Sequence, residues 1–286
     1  MNAQEIKALV TLLDDDDKEV VGIIEQEIKK RGNVIIPYLE TEWQELGENP
    51  MVQRKIEELI HLLQFEQLME RLSVWYNGGS IDLLEGLWLV ATYQYPELSL
   101  EKLKSDVEQI YVQTWLEFKA EMHPVDQIKV LNHVFFNNLK FAPNTKNFHS
   151  ANNSMIHTVL ETRRGNPISL CCLYMLVAQR LGMPVYGVNL PNLFVLTYKK
   201  DGVQFYINVF NKGLVFMKSD IDHYIGQLNL KANDVFFEPC TNLDIVKRTL
   251  RNLGIAFEKT GDKVKAREVE KMAKLIDETP IKDTPF

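Results

Sequence analysis

The segment RRGNPISLCCLYMLVAQRLGMPV, residues 163–185, constrains the fold more than any other part of the chain. Between residues 168 and 178 only Ser169 is clearly polar, and a helix that is apolar on nearly every face lies inside a domain. Asn166 is a good N-cap. Pro167 suits the first helical position, because proline lacks the N–H that would have no partner there. The segment predicts a buried central helix that other elements must surround.

Four β-type segments follow the central helix and offer a surface for it to pack on. The Lys-Asp-Gly sequence at 200–202 is typical of a hairpin turn between the second and third segments. We therefore expect residues 121–240 to form an α+β unit in which the central helix packs on an antiparallel sheet. The predicted strands are 185–190, 193–198, 203–210 and 214–217, and the helices before the central one are 125–137 and a helix capped by Ser154 that runs to Arg164.

The first 120 residues are predicted to be helical. A helix, an acidic turn at 14–17, a second helix at 18–31 and the sequence VIIPYLETEW resemble a HEAT-type repeat, whose apolar-faced helices stack on their neighbours. The acidic run favours a turn followed by the positive N-terminus of a helix. It lacks the alternating spacing and the glycine of a calcium loop. Further helices are predicted at 34–45, 50–76, 80–95 and 99–119.

The tail of the chain, residues 241–286, is predicted to form two helices separated at Gly261. Its spacing of apolar and small residues resembles one tetratricopeptide (TPR) repeat, in which two antiparallel helices approach closely. A single repeat cannot bury its own apolar face, so we expect the pair to dock on the α+β unit. The residues that carry this resemblance are Leu253, Gly254, Phe257, Ala266 and Ala273.

Composition and charge limit the class of protein. The net charge of −7 comes without a basic stripe, so we expect no nucleic-acid partner. Cys171, Cys172 and Cys240 are too few for a disulfide framework and fit a reducing cytosol. The first residues do not resemble a signal peptide, and no apolar run reaches the length of about eighteen residues that a membrane span needs. These features predict a cytoplasmic location and no membrane partner.

Two adjacent thiols, Cys171 and Cys172, are the first candidates for chemistry. A catalytic thiolate needs a partly exposed place near a helix N-terminus and a histidine within reach, whereas these cysteines lie a turn inside an apolar helix. Burial in the core is the favoured interpretation. A residual thiol hydrolase or acyltransferase, using either cysteine and a histidine from the 149–157 loop, remains the alternative. No histidine has a recognisable metal-ligand spacing and no cofactor motif is present, so we expect neither metal nor cofactor.

The sequences RRGNPISLCCLYMLVAQRLGMPVYGVNLPNLFVLTY and FYINVFNKGLVF resemble the SirB1 family, a transglutaminase-like group with a papain-like core. The resemblance covers about residues 120–277, and the preceding helices look like those found ahead of this core in related bacterial proteins. It implies a fold whose active members use a cysteine, a histidine and an aspartate. The corresponding positions of this chain are Pro167, Leu193 in PNLF and Asn208 in INVF.

None of these three residues can perform the role that the resemblance assigns to its position. Proline has no nucleophile, leucine cannot accept a proton, and asparagine cannot stabilise an imidazolium as a charge would. We therefore expect no catalytic residues and a protein- or peptide-binding or regulatory module, while a pure scaffold with a vestigial cleft remains open. The old cleft could persist as a polar groove, although hydrogen bonding at turns and strand ends accounts for its residues equally well. The groove candidates are Asn166, Asn189, Asn192, Asn208 and Asn211.

Overall fold

The computed structural model describes residues 3–45, 49–231 and 233–277. The chain divides into two compact units, residues 1–71 and 72–286. No helix in these described ranges combines the length and the apolar character needed to cross a membrane.

The first unit is built of helices around an aliphatic core. Asp17 accepts a hydrogen bond from the backbone N–H of Glu19 and caps the second helix, as the acidic run predicts, and Gly32 ends that helix with φ of 63°. Side chains such as Ile28, Leu39 and Ile56 are fully buried in the core. The helices are α1 (Ala3–Leu12), α2 (Lys18–Arg31), α3 (Ile36–Glu45) and α4 (Pro50–Asn77), of which α4 continues into the second unit after residue 71, and a 3₁₀ helix (Gly32–Ile35) separates α2 from α3.

In its described residues the second unit combines eight further α-helices with β-structure, in agreement with the predicted α+β class. A π-helical turn, His133–Asn138, directly follows the helix Pro124–Asn132, and the predicted tail helices are separated at Gly261, whose φ is 78°. The helices are α5 (Leu83–Thr92), α6 (Leu100–Trp115), α7 (Pro124–Asn132), α8 (Ile156–Thr162), α9 (Pro167–Arg180), α10 (Lys218–Gln227), α11 (Asn242–Thr260) and α12 (Lys263–Leu275).

The main sheet is antiparallel, as predicted, and its four strands are hydrogen-bonded in the order in which they follow one another along the chain. Asp201 and Gly202 have φ of 50° and 80°, which is the geometry of a tight hairpin turn between the strands Leu193–Lys200 and Val203–Asn208. Two further strands, each two residues long, form a separate parallel pair. The strands are β1 (Ala142–Pro143), β2 (Arg164–Gly165), β3 (Val185–Leu190), β4 (Leu193–Lys200), β5 (Val203–Asn208) and β6 (Leu214–Phe216).

The two faces of the main sheet are covered by different helices. On one face, Val195 and Tyr206 pack with Ile221 and Ile225 of α10, a helix that the sequence did not predict. On the other face lie α9, the central helix, and α11. A Cβ atom on Gly187 would stand 2.7 Å from the Phe194 ring, 3.1 Å from Cys240 Sγ and 3.2 Å from Ile245 Cδ1. This glycine lets the start of α11 pack directly against β3.

Two local predictions need correction. Ser154 belongs to a 3₁₀ helix, Ala151–Ser154, which Ser150 caps, and α8 begins only at Ile156. The third strand ends at Asn208, because a further 3₁₀ turn takes residues 209–211 out of the sheet. In both places a short turn with its own side-chain cap replaces the predicted longer element.

Candidate functional site

Pro167 occupies the first position of α9 and is held there by the preceding cap. Asn166 Oδ1 accepts a hydrogen bond from the Ser169 N–H at 2.9 Å, and Ser169 Oγ accepts one from the Asn166 N–H at 3.1 Å. This reciprocal arrangement is a capping box and confirms Asn166 as the N-cap. The Asn166 amide oxygen is therefore committed to the helix start.

Cys171, one turn further along α9, connects the central helix with two strands. Its side chain is fully buried, and its thiol donates a weak hydrogen bond to the Phe194 carbonyl, with Sγ and O 3.7 Å apart. The backbone N–H of Val209 donates to the same sulfur. Leu196 pairs with Ile207, and continuing this register places Phe194 opposite Val209. The thiol thus links the Phe194 carbonyl with the Val209 N–H, just beyond the last residues at which β4 and β5 pair with each other.

The environment of the cysteines favours neutral thiols. Burial, followed by the neighbouring Cys172, raises the pKa of Cys171 well above its ordinary value. Burial also raises the pKa of Cys172, and it raises the pKa of the partly exposed Cys240 to about 12. A thiolate nucleophile requires the opposite shift. The prediction that the two adjacent cysteines are core residues is confirmed by their complete burial.

The two strand positions implied by the resemblance have structural partners. Leu193 packs against the apolar cluster beneath α10, beside Val195. Asn208 Oδ1 accepts a hydrogen bond from the Asn211 N–H at 3.0 Å and caps the 3₁₀ turn, and the Asn208 carbonyl accepts one from the Gly213 N–H. Strand alternation places Asn208 on the same side of the sheet as Tyr206 and hence as Leu193. Pro167, in contrast, belongs to the helix on the opposite side.

The remaining groove candidates also have local roles. Asn192 has φ of 58° in the β3–β4 turn, a conformation that asparagine tolerates better than most residues. Asn189 Oδ1 accepts a hydrogen bond from Nη1 of Arg248 at 2.9 Å. Asn211 is exposed and contributes its backbone N–H to the turn. Four of the five asparagines therefore cap a helix or form a turn. The fifth, Asn189, instead contacts Arg248, a charged residue far along the chain.

The histidines of the 149–157 loop have partners other than the cysteines. His149 Nε2 lies 2.8 Å from Lys259 Nζ of α11. His157 packs edge-on against Tyr95, with ring centroids 4.3 Å apart, and its Nδ1 is buried without a hydrogen-bond partner among the described residues. Burial lowers the pKa of His157, and Glu161 partly opposes this shift. Within the described ranges no three His, Cys, Asp or Glu side chains are grouped to hold a metal ion.

A polar network that the sequence did not predict lies behind the site. The hydroxyl of the buried Tyr174 donates to Asn132 Oδ1 at 2.8 Å, and Asn132 Nδ2 donates to the Gly213 carbonyl at 3.0 Å. The network joins α9, α7 and the turn before β6. A tyrosine inside an otherwise apolar helix was the available signal, since a buried hydroxyl needs a partner.

Comparison with known proteins agrees with this architecture. The sequence model of the transglutaminase-like superfamily matches residues 101–251. A UPF0162 protein of Xylella fastidiosa (strain Temecula1) is 27% identical over 233 residues, which cover 75% of this chain and 80% of that protein. A second UPF0162 protein, from Vibrio cholerae, is 25% identical over 137 residues, or 48% of this chain and 51% of that protein.

A eukaryotic relative is similar over a shorter region. F-box only protein 21 of Mus musculus is 34% identical over 120 residues, which are 39% of this chain and 19% of that protein. No solved structure matches the chain. The family model covers more than half of the sequence and includes the central helix, the sheet and the start of α11. The chain therefore belongs to the transglutaminase-like superfamily.

Proposed function

We propose that this chain is a non-catalytic transglutaminase-like protein that binds a protein or peptide ligand along its former active-site cleft. The observation that carries the proposal is Pro167 at the first position of α9, where the resemblance implies a cysteine. A proline there has neither a nucleophile nor an N–H that could stabilise an oxyanion. The substitution removes the step on which thiol acyl transfer depends.

The remaining thiols do not supply a replacement. Cys171 engages its sulfur with Phe194 and Val209, and Cys172 is equally buried, so substrate could reach either one only after the core opened. His149 and His157 are engaged with Lys259 and Tyr95. These contacts argue against the residual hydrolase or acyltransferase.

The finer assignments are part of the same proposal. We assign the core, residues 121–240, to the SirB1 group, the first 120 residues to HEAT-like helices and residues 241–286 to a TPR-like hairpin. In the tail, a Cβ atom on Gly254 would stand 3.7 Å from Val269 Cγ1, an ordinary packing distance, so the two helices are in contact at this residue. The shared region is a small part of F-box only protein 21, which is consistent with a module used inside larger proteins.

Thiol labelling tests the non-catalytic part of the proposal. With an aromatic disulfide reagent at neutral pH, we expect Cys240 to react first and the Cys240→Ala protein to react only after denaturant is added. Fast reaction of native Cys240→Ala protein, abolished by Cys171→Ala or Cys172→Ala, would restore the thiol-enzyme interpretation.

Affinity capture tests the binding part. Because Asn208 and Asn192 have structural roles, the suitable variant is Asn211→Arg, whose side chain is exposed beside the turn. Gln113→Arg on α6 is a matched control, since it changes an exposed amide to the same cation. We expect Asn211→Arg to lose a partner that the wild-type and Gln113→Arg proteins retain. Identical partners for all three proteins would remove the cleft from the binding surface.

A further inference from the structure

Arg248 of α11 is a half-buried cation without a carboxylate partner in the described part of the chain. Its Nη1 donates to Asn189 Oδ1, which is a neutral acceptor. Burial, followed by the positive charge of Arg251, lowers its pKa. A buried charge that is not paired costs stability, so the fold gains little by holding an arginine in this place.

The carboxylate that could neutralise Arg248 is used elsewhere. Asp244 lies one turn earlier on the same helix, at the spacing that favours an ion pair. Its Oδ2 instead accepts hydrogen bonds from the Thr241 N–H at 2.9 Å and the Thr241 hydroxyl at 2.7 Å. This capping box fixes the start of α11 and leaves the guanidinium to other acceptors.

The groups around Arg248 present hydrogen-bond donors in one place. The guanidinium has five N–H donors, of which one is used by Asn189. Asn189 Nδ2 belongs to the same amide group and has no hydrogen-bond partner in the described part of the chain, so it is a second donor beside the guanidinium. The Tyr224 hydroxyl, which also interacts with the arginine charge, donates to the Pro191 carbonyl at 2.8 Å and so fixes the β3–β4 turn beside the site.

This donor group lies next to the former cleft. Asn189 pairs with Phe194 across the β3–β4 ladder. The Phe194 carbonyl contacts Cys171, one turn after Pro167 on α9. Strand alternation places the Asn189 and Phe194 side chains on the face of the sheet that carries α9 and α11, whereas Leu193 is on the other face. A peptide lying against the start of α9 could therefore place one end, or one side chain, against Arg248.

We propose that Arg248 and the Asn189 amide form a binding site for a free carboxylate of a peptide ligand. This inference rests on the proposed function, because the peptide would occupy the same cleft. A guanidinium presents parallel N–H groups that match the two oxygens of a carboxylate, and such charge-assisted pairs are about twice as strong as neutral hydrogen bonds. The ligand would supply the negative charge that Asp244 does not.

Nuclear magnetic resonance titration tests the site. The probes are N-acetyl-trialanine, its C-terminal amide, sodium acetate and inorganic phosphate, and the signals are Arg248 Nε–H and the Asn189 side-chain amide. We expect the tripeptide acid to shift both signals saturably and to bind at least about tenfold more tightly than the amide. Arg248→Met should remove that preference, whereas Arg267→Met, an equal charge change on exposed α12, should retain it.

The outcomes separate the site from the wider proposal. Equal binding of acid and amide would overturn the carboxylate site and leave peptide binding standing. Acetate shifts at Arg248 without tripeptide binding would support the site and contradict peptide binding. No shift with either carboxylate, or tighter binding of phosphate than of the acid, would overturn the inference. Thermal denaturation adds a control, because Arg248→Met should not lower Tm, and a clear fall with unchanged selectivity would assign the arginine a structural role.

Discussion

Replacement of Cys171 by alanine tests whether its thiol holds the structure together or is a remnant of catalysis. The substitution removes the sulfur that accepts from the Val209 N–H and donates to the Phe194 carbonyl. Cys172→Ala is the matched control: Cys172 is the adjacent residue of the same helix and is equally buried, and its side chain makes no hydrogen bond within the described part of the chain. The two variants therefore differ mainly in the bridge to the strand ends.

The expected magnitudes follow from burial and hydrogen bonding. Loss of a buried sulfur resembles loss of one methylene group, about 1 kcal/mol. Cys171→Ala also leaves a buried amide without an acceptor, which costs about 1–3 kcal/mol, and sulfur is a weak partner, so the lower end applies. We expect the free energy of unfolding to fall by about 2 kcal/mol for Cys171→Ala and by about 1 kcal/mol for Cys172→Ala.

Urea denaturation followed by circular dichroism measures both values. The comparison uses the midpoints at an unchanged m-value, so that a change in the denatured state is not mistaken for lost stability. If Cys171→Ala is no less stable than Cys172→Ala, the sulfur does not bridge the strands and the structural interpretation of this thiol is wrong. Amide hydrogen exchange at Val209 gives an independent reading, since loss of the acceptor should raise its exchange rate.

Three further predictions concern the surroundings of the site. Gly213→Ala should lower the free energy of unfolding, measured by urea denaturation, by about 3 kcal/mol or more, because φ is 71° and the new Cβ would stand 1.9 Å from Asn132 Oδ1. Gly182→Ala is the control: φ is 79° but no atom lies near the new Cβ, so the loss should be only about 1 kcal/mol. Asn166→Ala should lower the free energy of unfolding by about 1 kcal/mol through loss of the α9 cap. His157→Gln should flatten the pH dependence of Tm below pH 6.5. The pKa of His157 in the folded protein lies below 6.5, so the unfolded chain binds the proton more readily. The stability of the wild type therefore falls as the pH falls through this range, and the variant should lack this contribution.

Each of these predictions can fail in a defined way. Equal losses for the two glycine variants would mean that the contact with Asn132 costs nothing. An unchanged free energy of unfolding for Asn166→Ala would mean that the Asn166 side chain does not stabilise the start of α9. Parallel pH curves for wild type and His157→Gln would show that the histidine does not titrate differently on folding.

The parts of the fold predicted from sequence are those whose chemistry is local. The Asn166 cap, Pro167 and the Asp201-Gly202 hairpin each depend on residues within one turn, and the structure has all three. The burial of α9 followed from its composition alone. Helix α10 was missed because most of KSDIDHYIGQ is polar, and its apolar contacts, through Ile221 and Ile225, are evident only once the sheet is folded.

The candidate site was predictable only in part, for a physical reason. An asparagine can cap a helix, occupy a left-handed turn or face a ligand, and the residue type does not distinguish these roles. For Asn208 the partner lies three residues away and a turn could be anticipated. For Asn189 the partner is Arg248, 59 residues further along the chain, and no local pattern connects them. The charged contact beside the cleft emerges only from the tertiary structure.

The absence of a side chain at Gly187 has a consequence for chimeras made between relatives. The Phe194 ring, Cys240 Sγ and Ile245 meet in the space that a Cβ would fill. The contact between the tail and the sheet therefore leaves no room for a larger side chain at any of these positions. A tail transplanted from a homologue with a bulkier residue at the Cys240 or Ile245 position would fit only with compensating changes in β3. Successful exchange of tails would require these positions to be inherited together.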